Sequence, residues 1–401
     1  DYGFPESHAA SFARLAWASS WLKRHHPTEF LCALLNSQPM GFYPPAVLVS
    51  DAQRHGVLVL PVDVLQSGGE STLQWVETPQ GGGRALARHP APRAASDDPD
   101  TAIMGVEPRN SASAGDVTPA SSADGSSRYS GDRDGRGGRD GARSEGRAPV
   151  LGVRLGLCTV RGLGEGCEAR VRAGLDSVAT LGPFVSPEDV ARRCGLDRGQ
   201  MENLARLGAL GGFEARRRHA LWGVAALAHR APGPLAEALP PEGEVRLPRL
   251  DAAAIVAENY RMGGISVERH PLELLRARLD AAGVLRAAEL LARVRSDRPV
   301  RIPRAEVAVA GLAVCRQRPP TAGGLTFVSI EDETGFANLI VTPEVAQRDR
   351  PGLLASLILA VGRLEFAEGV VNLRATRLSP LGLGPLDGEA PIDGLPSHDY
   401  R

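Results

Sequence analysis

Val160-Arg161-Gly162-Leu163-Gly164-Glu165-Gly166-Cys167-Glu168-Ala169 lies near the middle of the chain, and its reading organises the rest. The pattern is apolar-x-Gly-apolar-Gly-x-x-x-x-Ala. Two glycines let a backbone turn tightly, and the residues after them can start a helix. Amide groups at such a start, aided by the helix dipole, can hold a phosphate. Arg161 and Arg170 stand beside the turn and add positive charge. A single G-x-G is a common turn. Here a second segment reinforces it: Met201-Glu202-Asn203-Leu204-Ala205-Arg206-Leu207-Gly208-Ala209-Leu210, placed after the helix breaker Pro183. Arg161, Gly162, Gly164 and Arg170 then have two readings. They contact DNA phosphate, which positions a duplex without reading its sequence, or they form a purely structural turn.

Working outward, residues 150–228 read as helical, with breaks at Gly182-Pro183 and Gly195. Residues 78–149 are rich in Gly, Ser, Ala, Pro, Asp and Arg and nearly empty of large apolar side chains. Such a segment cannot bury enough apolar surface to offset its ordering entropy, so a disordered insertion is expected. Downstream, 229–302 reads as a Pro-rich linker and a helical segment interrupted by Gly263-Gly264 and Pro271. From 303 to 385 the pattern changes to short β runs at 307–314, 325–330, 337–341, 357–365 and 370–378, with a helical piece at 343–349. Five strands with a helix between the third and fourth is the order of an OB-fold barrel. Residues 386–401 remain as a tail. At the other end, residues 7–37 read as two helices, capped by Ser7 and Thr28 and separated by Pro27. A third helix is expected over 45–55 and a strand over 57–64.

Composition narrows the function classes. The chain has 401 residues, 43% hydrophobic and 23% charged, as in an ordinary globular protein. No run approaches the ~20 apolar residues that span a bilayer, and no secretory signal pattern opens the chain; a cytoplasmic location is expected. The net charge of -1 excludes a uniformly basic DNA-coating protein, so any basic surface is local. The five cysteines form no C-x-x-C pair, which argues against a zinc site or a disulfide framework. Lys23 is the only lysine, and no G-K-[ST] exists, which excludes a P-loop NTPase.

The stretch Gly3-Phe4-Pro5-Glu6-Ser7-His8-Ala9-Ala10, continued by Trp21-Leu22-Lys23-Arg24-His25-His26-Pro27 and Leu34-Leu35-Asn36-Ser37-Gln38-Pro39-Met40-Gly41-Phe42-Tyr43, resembles the fingers of bacterial C-family DNA polymerases. These are relatives of the DNA polymerase III alpha subunit. Glu6, where replicative relatives usually have Lys, and the 37–43 segment resemble the error-prone, translesion branch. The paired hairpin segments resemble the tandem helix-hairpin-helix module that follows the fingers in these enzymes. Gln317-Arg318-Pro319-Pro320-Thr321-Ala322-Gly323-Gly324 and Glu331-Asp332-Glu333-Thr334-Gly335 resemble loops of their OB domain, and Ser397-His398-Asp399-Tyr400-Arg401 resembles their usual ending.

The resemblance implies a multidomain α+β chain. Its parts are a helical fingers fragment (1–77), the disordered low-complexity insertion (78–149), a tandem helix-hairpin-helix DNA-binding module (150–228), a linker and helical segment (229–302), a five-stranded OB-fold domain (303–385) and a tail (386–401). It implies the C-terminal portion of an error-prone DNA-directed DNA polymerase, acting in translesion synthesis and damage-induced mutagenesis. Primer-template DNA, single-stranded template and deoxynucleoside triphosphates would be its ligands. A sliding clamp and an accessory translesion protein would be partners, and no membrane is involved. Ser7, His8, Lys23 and Arg24 are the nucleotide-binding candidates, with helix capping and a structural histidine as the plain alternatives for the first two. Arg161, Gly162, Gly164, Arg170, Arg318 and Phe327 are the DNA-binding candidates. Phe327, Phe336 and Phe366 either stack bases or fill the barrel core, and Arg316, Arg318, Arg363, Arg374 and Arg377 are the arginines near them.

No catalytic residue and no metal ligand is nominated. Nucleotidyl transfer by two metal ions needs carboxylates on rigid elements, holding ions ~4 Å apart. The pairs at 97–100 and 132–134 lie in the expected insertion, and Asp332 and Glu333 fall in an expected hairpin turn. Mg2+ and its carboxylates belong, by the resemblance, to an upstream part of the parent polymerase, so this chain alone is expected to be inactive. The alternative from another class is a non-enzymatic nucleic-acid-binding or scaffold fragment that uses only the helix-hairpin-helix and OB parts.

Overall fold

The computed structural model describes residues 6–40, 43–77, 149–164, 166–227, 245–292, 305–367, 370–382 and 398–400. The expected insertion lies outside the described residues except for its last position, and so do residues 1–5 and 41–42 of the polymerase-like stretch.

Three helices come first: α1 (Glu6–His25), α2 (Pro27–Asn36) and α3 (Pro45–Arg54). Pro27 separates the first two by starting α2. Its fixed φ suits a first helical position, where a missing N–H costs nothing. The expected caps are corrected. Ser7 already lies inside α1, and His26 rather than Thr28 precedes α2, without a side-chain cap bond. α2 buries Leu31, Cys32 and Leu35.

The chain then makes strand β1 (Leu58–Leu60), strand β2 (Thr72–Val76) and, beyond the insertion, β3 (Val150–Arg154). They form one sheet of order β1-β3-β2, with β3 parallel to β1 and antiparallel to β2. Helix was expected from 150 onward, so β3 is a correction. Val150, Leu151 and Val153 suit a strand, and Gly152 allows the close approach of β1. A Cβ on Gly152 would sit 3.0 Å from the Leu58 carbonyl oxygen. β1 is shorter than the expected 57–64 strand because Pro61 cannot donate to a ladder. Arg154, 7% exposed, locks this sheet. It donates to Gln74 Oε1 (2.8 Å), Gln66 Oε1 (3.0 Å) and the Pro61 carbonyl (2.9 Å). Elements on both sides of the insertion therefore share one core, which contains Leu35, Val59, Val153, Leu163 and Leu204.

A helical region follows: α4 (Glu168–Asp176), α5 (Val178–Leu181), α6 (Pro187–Cys194), α7 (Arg198–Leu207) and α8 (Arg217–Leu227). The breaks fall where the sequence puts its punctuation. Gly195 ends α6 at φ +60° and Gly208 ends α7 at φ +85°. Asp197 caps α7 in a reciprocal capping box with Gln200. Next come α9 (Ala252–Gly263) and α10 (Pro271–Ala281), bounded by the predicted Gly263-Gly264 and Pro271, then β4 (Val284–Leu285) and α11 (Ala287–Ala292).

The last region holds β5 (Val307–Gln317), β6 (Thr326–Asp332), β7 (Gly335–Val341), α12 (Pro343–Arg348), α13 (Arg350–Leu354), β8 (Leu357–Ala367), β9 (Val370–Pro380) and the short β10 (His398–Tyr400). The ladder runs β5-β6-β7-β9-β8 and closes by antiparallel pairing of β8 with β5. This is the expected five-stranded barrel with its helix between the third and fourth strands. β10 adds parallel to β5, within the segment expected as a tail. The barrel is filled by Val309, Val328, Ile330, Leu339, Ile358 and Leu373. A separate cluster of Val256, Tyr260, Leu272, Leu275, Leu312 and Leu357 packs α9 and α10 on its outer wall.

Candidate nucleic-acid interface

The glycine hairpin is held from below by apolar anchors. Val160 is 1% exposed and Leu163 0%, while Arg161 and Gly162 between them face outward. Gly162 has φ +83° and Gly166 φ +88°, a backbone region that costs other residues about 1–2 kcal/mol. Gly164 has a different reason to be glycine: a Cβ there would sit 3.3 Å from the Cys158 carbonyl oxygen. The turn closes through Leu163 N–H to Val160 O (2.9 Å) and Cys167 N–H to Gly164 O (3.1 Å). Among the described residues no carbonyl accepts from the amides of Gly162 or Gly164. These donors stand just before α4, whose first residues have no side-chain cap bond from Cys167. The arrangement can donate hydrogen bonds to an anion.

The carbonyls of the same hairpin are tied inward. Asn203 Nδ2 donates to Arg161 O (2.9 Å) and Gln200 Nε2 donates to Gly162 O (2.7 Å). The Cys167 thiol also lies on Gly162 O at 3.5 Å. Arg161 N–H donates to Met262 O (2.7 Å), which leaves the Arg161 side chain on the surface. Sequence reading missed Gln200 and gave Asn203 no role. The only signals were the place of Asn203 in the second motif segment and the Asp197-x-x-Gln200 capping pattern just before it.

The second turn is different. At Gly208 the Arg217 guanidinium covers the turn, with Nε 2.6 Å from the position a Cβ would take. Arg217 is in turn bonded to Asn259 Oδ1 (2.7 Å) and Glu268 Oε1 (3.2 Å). Burial lowers the pKa of Arg217. Of the two turns the second is covered by Arg217, whereas among the described residues the amides of the first have no carbonyl partner. Arg170 is exposed, but its Nη1 donates to the Gly195 carbonyl at 2.7 Å and so closes the end of α6.

On the barrel, strand register brings distant residues into rows. Phe327, Ile340, Arg374 and Arg363 lie side by side across β6, β7, β9 and β8. The neighbouring row is Ser329, Asn338, Asn372 and Glu365. Phe327 is 37% exposed and Phe366 42%, so neither fills the core. Phe336 is half-buried with the Arg54 guanidinium 5.0 Å from its ring centre. Arg318 is exposed at the β5–β6 loop, whereas Arg316 is buried and donates to the carbonyls of Leu353 (2.7 Å) and Ala355 (2.6 Å). Arg374 is paired with Glu365 on the same face.

The four nucleotide-binding candidates do not converge. Ser7 and His8 lie at one end of α1, and Lys23 and Arg24 at the other. Sixteen residues at about 1.5 Å each separate Ser7 from Lys23 by about 24 Å. The His8 ring lies tilted against Phe12, with ring centres 4.4 Å apart, and the Ser7 carbonyl accepts from Ser11 Oγ. Lys23 is bonded to Asp51 Oδ2 at 2.7 Å. Arg24 is exposed.

Asp332 and Glu333 are the paired carboxylates among the described residues that the sequence singled out. Asp332 and Glu333 are taken up by Arg276, at 3.3 and 2.6 Å, and Asp332 also accepts from backbone amides. These carboxylates do not fit the Mg2+ of a polymerase. Among the described residues no group of three or more His, Cys, Asp or Glu is placed to hold a metal ion. No described helix is long and apolar enough to cross a membrane.

The helix-hairpin-helix motif family matches residues 139–220. A protein named error-prone DNA polymerase from Anaeromyxobacter sp. (strain K) is 40% identical over 389 residues, covering 96% of this chain and 28% of that protein. One of the same name from Methylococcus capsulatus (strain ATCC 33009 / NCIMB 11132 / Bath) is 42% identical over 384 residues, covering 95% and 30%. A third, from Burkholderia pseudomallei (strain K96243), is 42% identical over 376 residues, covering 93% and 28%. The chain spans less than a third of the length of these relatives.

Proposed function

We propose that this chain, a relative of the error-prone DNA polymerases over nearly its whole length, is the DNA-holding C-terminal portion of such an enzyme. The parent reaction is template-directed nucleotidyl transfer past lesions, in damage repair and induced mutagenesis, carried out in the bacterial cytoplasm. Carboxylates and Mg2+ outside this chain supply the chemistry. Within it, the open hairpin grips backbone phosphate of the duplex through the amides of Gly162 and Gly164 and the charge of Arg161. The barrel face with Phe327, Arg374 and Arg318 receives single-stranded template by stacking and charge. A sliding clamp and an accessory translesion protein belong to the same proposal, with no residue here assigned to either.

The observation that carries this role is the first hairpin: among the described residues no carbonyl accepts from the Gly162 and Gly164 amides, which stand beside an exposed arginine. Its test is fluorescence anisotropy of the 401-residue chain with a labelled primer-template. Binding should weaken steeply with salt, because phosphate contacts release counterions. Arg161→Ala should weaken it about five-fold and reduce the salt slope by about 1. No binding at low salt would defeat the proposed role. Primer extension, made with the complete gene product, tests the polymerase activity itself.

A further inference from the structure

We infer that Gln200 and Asn203 are positioning residues for the phosphate-gripping hairpin, and that DNA affinity depends on them although neither needs to touch DNA. The inference rests on the proposed phosphate role of that hairpin. Both side chains are half-buried, sit on α7, and reach across 38 and 42 residues of sequence to the first turn. Each ends an amide NH2 on a hairpin carbonyl: Gly162 O at 2.7 Å and Arg161 O at 2.9 Å. A peptide group is planar, so fixing a carbonyl on one side fixes the amide of the next residue on the other. Holding the Arg161 carbonyl inward turns the Gly162 amide outward, and holding the Gly162 carbonyl sets the Leu163 amide, which closes the turn on Val160 O at 2.9 Å. Two glycines leave this segment with more backbone freedom than any other residues would. Without the two tethers the turn would spread over several conformations, and a phosphate would have to select one of them.

Gln200 performs two tasks at once. Its Oε1 accepts from Asp197 N–H (2.9 Å) and closes the capping box of α7, while its Nε2 holds Gly162. The tasks can be separated. Asp197→Ala removes the cap side chain, which accepts from Gln200 N–H at 2.9 Å, and leaves the tether. Gln200→Met removes the reciprocal half of the capping box and the tether together while the Asp197 cap stays, and Asn203→Ala removes only the second tether.

The experiment compares anisotropy titrations of these three variants, alone and combined with Arg161→Ala, on the full chain, with thermal unfolding alongside. Gln200→Met and Asn203→Ala should each bind about five- to tenfold more weakly. Asp197→Ala should bind like wild type despite a lower melting temperature, and in the Arg161→Ala background the tether variants should cost clearly less than in wild type. Equal losses for Asp197→Ala and Gln200→Met would mean a helix-capping role only and overturn the inference. Tether variants that bind as wild type, while Arg161→Ala weakens binding, would overturn it and leave the phosphate role standing. Full additivity with Arg161→Ala would make the two residues direct or unrelated contributors, again overturning it. A wild-type chain that does not bind removes the hairpin role and the inference together.

Discussion

Arg54→Ala is expected to destabilise the chain by about 3 kcal/mol at pH 8, because it strips a buried carboxylate of its partner. Arg54 extends from α3 to Glu331 on β6, with Nη1 2.5 Å from Oε1. The side chains are 16% and 2% exposed. Burial pushes the Glu331 carboxyl up to about 7, against the opposing pull of Arg54. A carboxyl raised in the folded state adds stability below its unfolded value of 4.5, and that contribution is lost as pH rises through 7. Without Arg54 the proton is held more tightly still. The deficit of the variant should therefore be large at pH 8 and small at pH 5, where Glu331 is protonated with or without Arg54. Glu331→Gln added to Arg54→Ala should recover part of the loss at pH 8. Urea unfolding at the two pH values measures this, and equal deficits at both would contradict it.

A second group in this region acts in the opposite direction. His270, 8% exposed, is pushed down to about 3 by burial and by the charges of Arg54 and Arg276. Its Nδ1 accepts from Leu272 N–H at 3.2 Å and caps α10, a role only the neutral ring fills. A base lowered in the folded state adds stability above its unfolded value of 6.5, and that contribution is lost as pH falls from 6.5 through 3. Between 4.5 and 6.5 the slopes from His270 and Glu331 oppose each other. His270→Asn, which keeps a capping side chain, should uncover a decline in stability from pH 4.5 to 7 that wild type conceals.

Asp332→Ala is the other large effect, about 4 kcal/mol from several buried donors left without an acceptor. Oδ1 of Asp332 accepts from Thr334 N–H (2.8 Å), Thr334 Oγ1 (2.7 Å) and Gly335 N–H (3.0 Å). Oδ2 accepts from Ala287 N–H (2.8 Å) and Arg276 Nη2 (3.3 Å). One carboxylate, 2% exposed, thus shapes the β6–β7 turn and fixes α10 and α11 to it. Hydrogen exchange at the Ala287 amide should accelerate strongly in the variant, together with a fall in melting temperature. An Ala287 amide as protected as in wild type would refute the assignment. Asp332→Asn, which keeps one acceptor, should fall between the two.

The element pattern was legible wherever the signal was local. Pro27, Gly195, Gly263-Gly264 and Pro271 mark helix limits in the sequence and in the fold. The five barrel runs and the helix between the third and fourth were visible because alternation and β-branched content act over a few residues. β3 was not legible. It is five residues long, contains Gly152, and finds its partners at 58–60 and 72–76 across the insertion. The Asp332-Glu333 turn was read correctly as a turn, but its ion pairs with Arg276 were out of reach.

For the candidate interface the sequence supplied the hairpin and its two glycines, since conformational demand and close approach are written into residue type. Which cations are available was settled by tertiary structure alone. Lys23 is used by Asp51, Arg170 by the Gly195 carbonyl, and Arg217 covers Gly208, while Arg161 stays exposed. The same holds for Phe327 and Phe366, whose outward placement follows from strand register. Residue type and spacing determined the helices, the barrel order and the phosphate-sized turn. Burial and charge pairing were decided by partners far away in the chain, as with Arg54 and Glu331, 277 residues apart. A side chain's solvation and partners are properties of the folded neighbourhood, and no local pattern contains them.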